Sequence, residues 1–218
     1  MIFCRNLHVL LTNNQSTMKK LLLILIVLIF AMCSKPKSRW ELIEEQQKLE
    51  ISKGIRKDTI FLGFTFGMTS TQVNNKFKKL LAEGNISENS KGEYEYIIPL
   101  DVPKNPKATF ITRYFNNSLY SFRLNIESNT PVEAELIQLG MVKLYQKKYR
   151  SFIEVPSILD QKESDFIFII GNQQININYP FYSTTATVDY KDFMMEKRKD
   201  IQDNKQQNDR ENKLLKNL

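Results

Sequence analysis

The sequence predicts an α+β fold in which an antiparallel sheet packs against helices, arranged as two tandem helix-plus-hairpin repeats. Three observations predict it. Several short runs alternate apolar and polar residues at period two, the mark of half-buried strands. Two helix starts, at Thr69 and Thr130, carry capping signals. Asn- and Gly-based turns separate neighbouring alternating runs, as in hairpins.

The first repeat opens on residues 59–66, where Ile60, Leu62, Phe64 and Phe66 fall on one face of a predicted strand that Gly67 ends. Thr69-Ser70-Thr71-Gln72 is a capping box, and Val73, Phe77, Leu80 and Leu81 follow at helical spacing up to a C-terminal cap at Gly84. Residues 94–98 form a short strand, and residues 99–107 a loop with three prolines. Residues 108–115 then pair with 119–126 across Asn116-Asn117-Ser118, with Tyr120, Phe122, Leu124 and Ile126 facing the core.

The second repeat has the same order. Thr130-Pro131-Val132-Glu133 combines a capping box with proline at the first helical position. The helix runs to about Tyr149 and buries Leu136, Ile137, Met141, Leu144 and Tyr145. Residues 151–155 form a short strand, residues 165–170 and 174–179 flank the turn Gly171-Asn172-Gln173, and residues 184–190 supply a last strand. The domain therefore spans 58–190, with halves 58–128 and 129–190. Residues 191–218, with eight basic and six acidic residues, form a charged helical or disordered tail, and a partner-binding helix is the sharper reading of it.

The segment ahead of the domain is of another kind. Met18-Lys19-Lys20 is a positive n-region, residues 21–30 are an unbroken apolar run of ten, and Ala31-Met32 leads into Cys33 and a polar stretch. This is the layout of a secretory signal, and the run falls short of the roughly 20 residues a spanning helix needs. Residues 1–17 precede the regular n-region, which makes Met18 rather than Met1 the expected start. Residues 1–32 are expected to be absent from the mature protein, and residues 33–57 to form a tether with a weakly amphipathic helix around Trp40, Ile43 and Gln47.

Removing that leader empties the chemical toolkit. The only histidine, His8, and the only other cysteine, Cys4, go with it. Histidine is the usual base near neutral pH and the commonest metal ligand, so Ser-His-Asp, Cys-His and typical zinc chemistry are excluded. The net charge of +7 loses Arg5, Lys19 and Lys20, leaving 28 basic against 24 acidic residues, or +4. No basic stripe interleaved with aromatics remains for nucleic acid.

Phe30-Ala31-Met32-Cys33 resembles the lipobox of bacterial lipoproteins, in which diacylglycerol is attached to the cysteine and the leader is cut just before it. The resemblance implies lipid attachment at Cys33, and a membrane anchor of two or more chains is stable. By the same resemblance, Ser34 in place of an aspartate implies the outer membrane, and the basic Lys35-Pro36-Lys37 run implies its periplasmic face. Phe66-Gly67-Met68-Thr69-Ser70-Thr71-Gln72-Val73 resembles the strand-to-helix signature of SmpA/BamE-type lipoproteins and of the group related to beta-lactamase inhibitory protein. Here Leu80-Leu81-Ala82-Glu83-Gly84 closes the helix where the SmpA/BamE pattern has Leu-Gly-x-Pro. Lys147-Lys148-Tyr149-Arg150 and the Asn, Lys and Ile richness are similar to lipoproteins of Bacteroidetes.

These readings lead to a non-enzymatic lipoprotein whose α+β domain binds an envelope protein or polymer, with no cofactor, metal or nucleic acid. An outer-membrane assembly accessory of SmpA/BamE type is the alternative within that class. A carboxylate-dependent hydrolase or transferase is the alternative outside it, resting on Glu93 with Glu95 or Asp160 with Glu163. A small apolar ligand held between sheet and helix is a third.

Overall fold

Alternating strands joined by tight turns close into one antiparallel sheet of eight strands. The computed structural model describes residues 37–100, 102, 105–149, 152–156, 164–180 and 183–215. Within the unit that begins at Arg39, the elements in chain order are α1 (Arg39–Ser52), a 3-10 turn (Phe61–Gly63), α2 (Ser70–Ala82), β1 (Ser87–Glu88), β2 (Tyr94–Ile97), β3 (Lys107–Phe115), β4 (Ser118–Glu127), α3 (Pro131–Lys148), β5 (Ile153–Pro156), β6 (Ser164–Ile170), β7 (Gln173–Asn178), β8 (Thr185–Asp192) and α4 (Phe193–Leu215). The architecture is α+β. The spatial order β1-β2-β3-β4-β8-β7-β6-β5 places two four-stranded meanders back to back, each preceded by its helix, with β4 and β8 paired at the centre. No helix among the described residues is long and apolar enough to cross a membrane.

Local chemistry explains most boundaries. At α2 the Thr69 hydroxyl accepts from the Gln72 N–H at 3.3 Å while the Gln72 side chain accepts from the Thr69 N–H at 2.8 Å. Thr130 caps α3 through the Glu133 N–H at 3.2 Å, but the Glu133 carboxylate reaches back to the Asn129 N–H rather than to Thr130. The β3–β4 turn is Asn116-Asn117, both at positive φ (49° and 56°), the two-residue geometry whose twist matches hairpin strands.

One sheet face carries the main core. Phe122, Leu124 and Ile126 of β4, Ile175 and Ile177 of β7 and Val188 of β8 are buried against α2 and α3. Phe77 of α2 stacks on Tyr94 at 4.8 Å and lies near Phe64 and Phe110 at 4.7 and 5.2 Å. The opposite face holds a smaller cluster of Ile43, Val155, Ile167, Ile169 and Phe193 under α1 and the start of α4. Alternation along β6 serves both: Ile167 and Ile169 point one way, Phe168 the other.

Four expectations are corrected. Residues 59–66 are not a strand: Thr59 bridges Thr65, the Ile60 N–H bonds the Phe64 carbonyl at 2.7 Å, and Leu62 and Gly63 turn at φ 51° and 74°. Gly63 lets the chain reverse inside the alternating run, while Ile60, Phe64 and Phe66 stay buried. Along β4 the register passes from Arg113↔Ser121 to Tyr114↔Leu119, so a bulge at Tyr120 puts Leu119 in the main core cluster while Tyr120, itself buried, lies outside it. In α3 the buried stripe is Ala134, Ile137, Gln138, Met141, Val142 and Tyr145, with Leu136 and Leu144 exposed. This helix is apolar around much of its circumference; the sheet takes the side that carries Ala134, and Gly140 lies against Leu100 of the β2–β3 loop. Finally, the expected boundary at residue 57 is displaced: α1 already belongs to the packed unit.

The anchoring of α1 is polar. Arg39, Ile43, Gln47 and Glu50 form one stripe at i+4 and i+3 spacing. Arg39 pairs with Asp165 at 2.7 Å, Gln47 donates to Gln174 at 2.8 Å, and Glu50 accepts from the Gly171 N–H at 3.1 Å. Gly171 sits at φ 59°, and a Cβ there would clash with the Ile55 carbonyl oxygen. At the other end Asp192 caps α4, accepting from the Met194 and Met195 N–H groups at 3.0 Å, and its second oxygen takes Asn172 and Arg56.

Two substitutions test these ties by urea unfolding. Gly171→Ala is expected to cost more than the roughly 1–2 kcal/mol of a left-handed backbone alone, because Ile55 must also move. Asp192→Ala is expected to cost about 2–4 kcal/mol, a lost cap plus orphaned buried donors. Ile201→Ala, on the exposed part of α4, leaves the midpoint unchanged.

Candidate functional site

The second sheet face is left uncovered between α1 and α4, and there a cleft of about 750 Å³ opens. Its floor follows from strand register. Arg123 of β4 lies opposite Asp189 of β8, which lies opposite Asn176 of β7. The row beside it runs through Lys191 and Gln174. Odd positions on β4 and β8 and even positions on β7 point this way, while their neighbours Phe122, Val188 and Ile175 fill the main core. One wall is α1, with Trp40, Ile43 and Gln47; the other is α4, with Glu196 and Lys197.

Charge in the cleft is organised in pairs. The Arg123 guanidinium donates through Nε at 3.0 Å and through Nη2, both to Asp189 Oδ2. The carboxylate holds the Arg123 guanidinium pKa above its usual value. Asp189 is 4 % exposed, and its Oδ1 accepts from no protein donor among the described residues. Lys191 bonds Glu196 at 2.8 Å, tying β8 to α4. Amides extend the network: Gln47 donates to Gln174, and Gln174 to Asn176 at 2.9 Å. Half-buried ion pairs of this kind contribute little net stability. They hold groups in place.

Asp165 lies on the same side, beneath Arg39. Burial raises its carboxyl pKa, and the Arg39 hydrogen bond and charge only partly oppose that. Asp165 and Asp189 are the buried carboxylates of this cleft, and the sequence reading named neither. Asp189 alternates with apolar neighbours in a strand-like run, Val188-Asp189-Tyr190, and such a residue reads as solvent-facing until the helices above it are placed.

The residues singled out from sequence lie elsewhere. Glu93 and Glu95 meet at Asn89, whose amide donates to them at 3.0 and 3.3 Å. Lys107 bonds Glu95 at 2.8 Å and lowers its pKa, the opposite of what a general acid requires. Cys33, Asp160 and Glu163 lie outside the described residues. The aromatic residues proposed to hold an apolar ligand are packed on one another in the core. A second, smaller hollow of about 280 Å³ lies between β3 and α3 near Glu95, Lys107 and Glu127.

The Asp165 shift has a signed consequence. Its folded pKa lies above the unfolded value of about 3.9, so in that window the folded state holds a proton that the unfolded chain has released. Stability contributed by Asp165 is then lost as pH rises through the window. The stability of wild type minus that of Asp165→Asn is expected to decline in urea titrations as pH rises above the unfolded value of about 3.9; a difference that rises would mean that Arg39 outweighs burial. No family model, curated protein or solved structure matches this chain.

Proposed function

We propose that the chain is a lipid-anchored, non-enzymatic envelope protein, attached through Cys33, whose α+β domain binds an envelope protein or polymer at the cleft between α1 and α4. The observation that carries the reading is the cleft itself: a fixed polar floor whose charged groups are paired with one another. Such a floor suits recognition better than acid-base work, because its charged groups are held in place by one another. The position in the chain supports the anchor. Five residues lie between Cys33 and Arg39, six backbone steps of at most about 21 Å in all, which would keep the α1 wall near a membrane surface.

The outer membrane and its periplasmic face are the proposed location, on the strength of Ser34 and the basic residues that follow. The carboxylate-hydrolase reading has one observation in its favour, the raised Asp165 carboxyl in the same cleft as Asp189. Arg39 and Arg123 each hold one of these groups, and β7 lies between their strands. The binding reading is therefore preferred.

Metabolic labelling with a palmitate analogue tests the anchor: wild type is expected to incorporate label and Cys33→Ala to lose it entirely. Crosslinking in intact cells is expected to recover a defined envelope partner, and recovery of abundant porins alone would remove the support for binding.

A further inference from the structure

We propose that the cleft is a saccharide site, taking a short run of neutral sugar rings against Trp40 and hydrogen-bonding their hydroxyls through Arg123, Asp189 and Asn176. The proposal rests on the reading of the domain as an envelope-binding protein and names the chemical class of its ligand.

Four observations converge. Trp40 is the only tryptophan of the chain, and it stands 67 % exposed on the cleft rim in the first turn of α1. A large aromatic surface left in water is unfavourable unless something covers it, and an indole face matches the apolar face of a pyranose ring. In the same lining, Asp189 Oδ1 is a buried carboxylate oxygen with no protein donor among the described residues. Its partner oxygen is held by Arg123, so the free acceptor is fixed in direction. Arg123 bonds Asp189 through Nε and Nη2, which leaves further N–H donors of its guanidinium. Acceptors and donors in one cleft match sugar hydroxyls, each of which both gives and takes a hydrogen bond.

Charge and topology exclude the competitors. The lining carries four basic and five acidic residues, a net of −1, so it favours neither a phosphate polymer nor a polycation. The floor strands β4, β8 and β7 are paired on both sides, so no free edge is present for an extended peptide to join by main-chain hydrogen bonds. Recognition must come from side chains, and here these are amide, carboxylate and guanidinium groups. The volume of about 750 Å³ lies within the range of small-molecule clefts.

Because Trp40 is alone, the intrinsic tryptophan emission of the full-length protein in detergent micelles reports on this cleft. Titration with cellotetraose and with tetra-N-acetylchitotetraose is expected to give a saturable blue shift with at least one of them, at a Kd between about 10 μM and 1 mM. Inorganic polyphosphate and tetralysine are expected to give none. By calorimetry, Asn176→Ala and Trp40→Ala should each weaken binding at least about tenfold while keeping the wild-type unfolding midpoint. The proposal is overturned if neither sugar shifts the emission up to about 10 mM, or if binding survives both substitutions. The two readings fail separately. A protein partner recovered from cells without any sugar response sinks the saccharide proposal and leaves envelope binding standing, whereas sugar bound by a chain unacylated at Cys33 keeps the cleft and sinks the anchor.

Discussion

The antiparallel pairing of β4 with β8 is the constraint on which the rest of this molecule depends. Each strand ends its own meander, and only their ladder makes one sheet of two. The same register decides both faces at once. Phe122 stands opposite Tyr190 and Leu124 opposite Val188 on the core side, while Arg123 stands opposite Asp189 on the other. A slip of one residue would exchange the faces, putting the guanidinium and carboxylate beneath α3 and the apolar side chains into the cleft. The apolar side resists that exchange strongly, and so the polar floor is positioned by a core it does not touch.

The two faces are closed by different chemistry. Over the core, α2 and α3 are held by apolar area, worth about 25 cal/mol per Å² buried. On the open face α1 is held by Ile43 and a stripe of polar contacts to Asp165, Gln174 and the Gly171 N–H, and α4 by Phe193 and the Asp192 cap. Polar contacts add little net stability, but their directionality fixes the height and rotation of a helix more narrowly than grease does. That difference leaves a gap with defined walls where a continuous apolar layer would have closed it.

Asp192 shows how closely these parts are joined. One carboxylate caps α4, receives the amide of Asn172 from the β6–β7 turn and takes Arg56 from the segment after α1. The segment after α1 and the start of α4 are therefore joined through one carboxylate.

Much of this was legible in the residues. The β3–β4 hairpin was readable because Asn116-Asn117 tolerates positive φ, and α2 because Thr69 and Gln72 satisfy each other's backbone. Such signals are local, and local chemistry decides them. Where the pattern had two solutions it misled: Gly63 hid a reversal within residues 59–66, and an α3 apolar on most sides did not reveal which side would be buried. The packing of α1 went unread because its buried stripe, Arg39, Gln47 and Glu50 around a single Ile43, has no apolar period to detect. By itself, then, the sequence determined the α+β class, the helix caps and the hairpins, all of which depend on neighbours a few residues apart. Only the tertiary structure decided that Arg123 meets Asp189 across 66 residues and that Trp40 lines the same cleft, because a site built from facing strands and a distant helix exists only once long-range register is set.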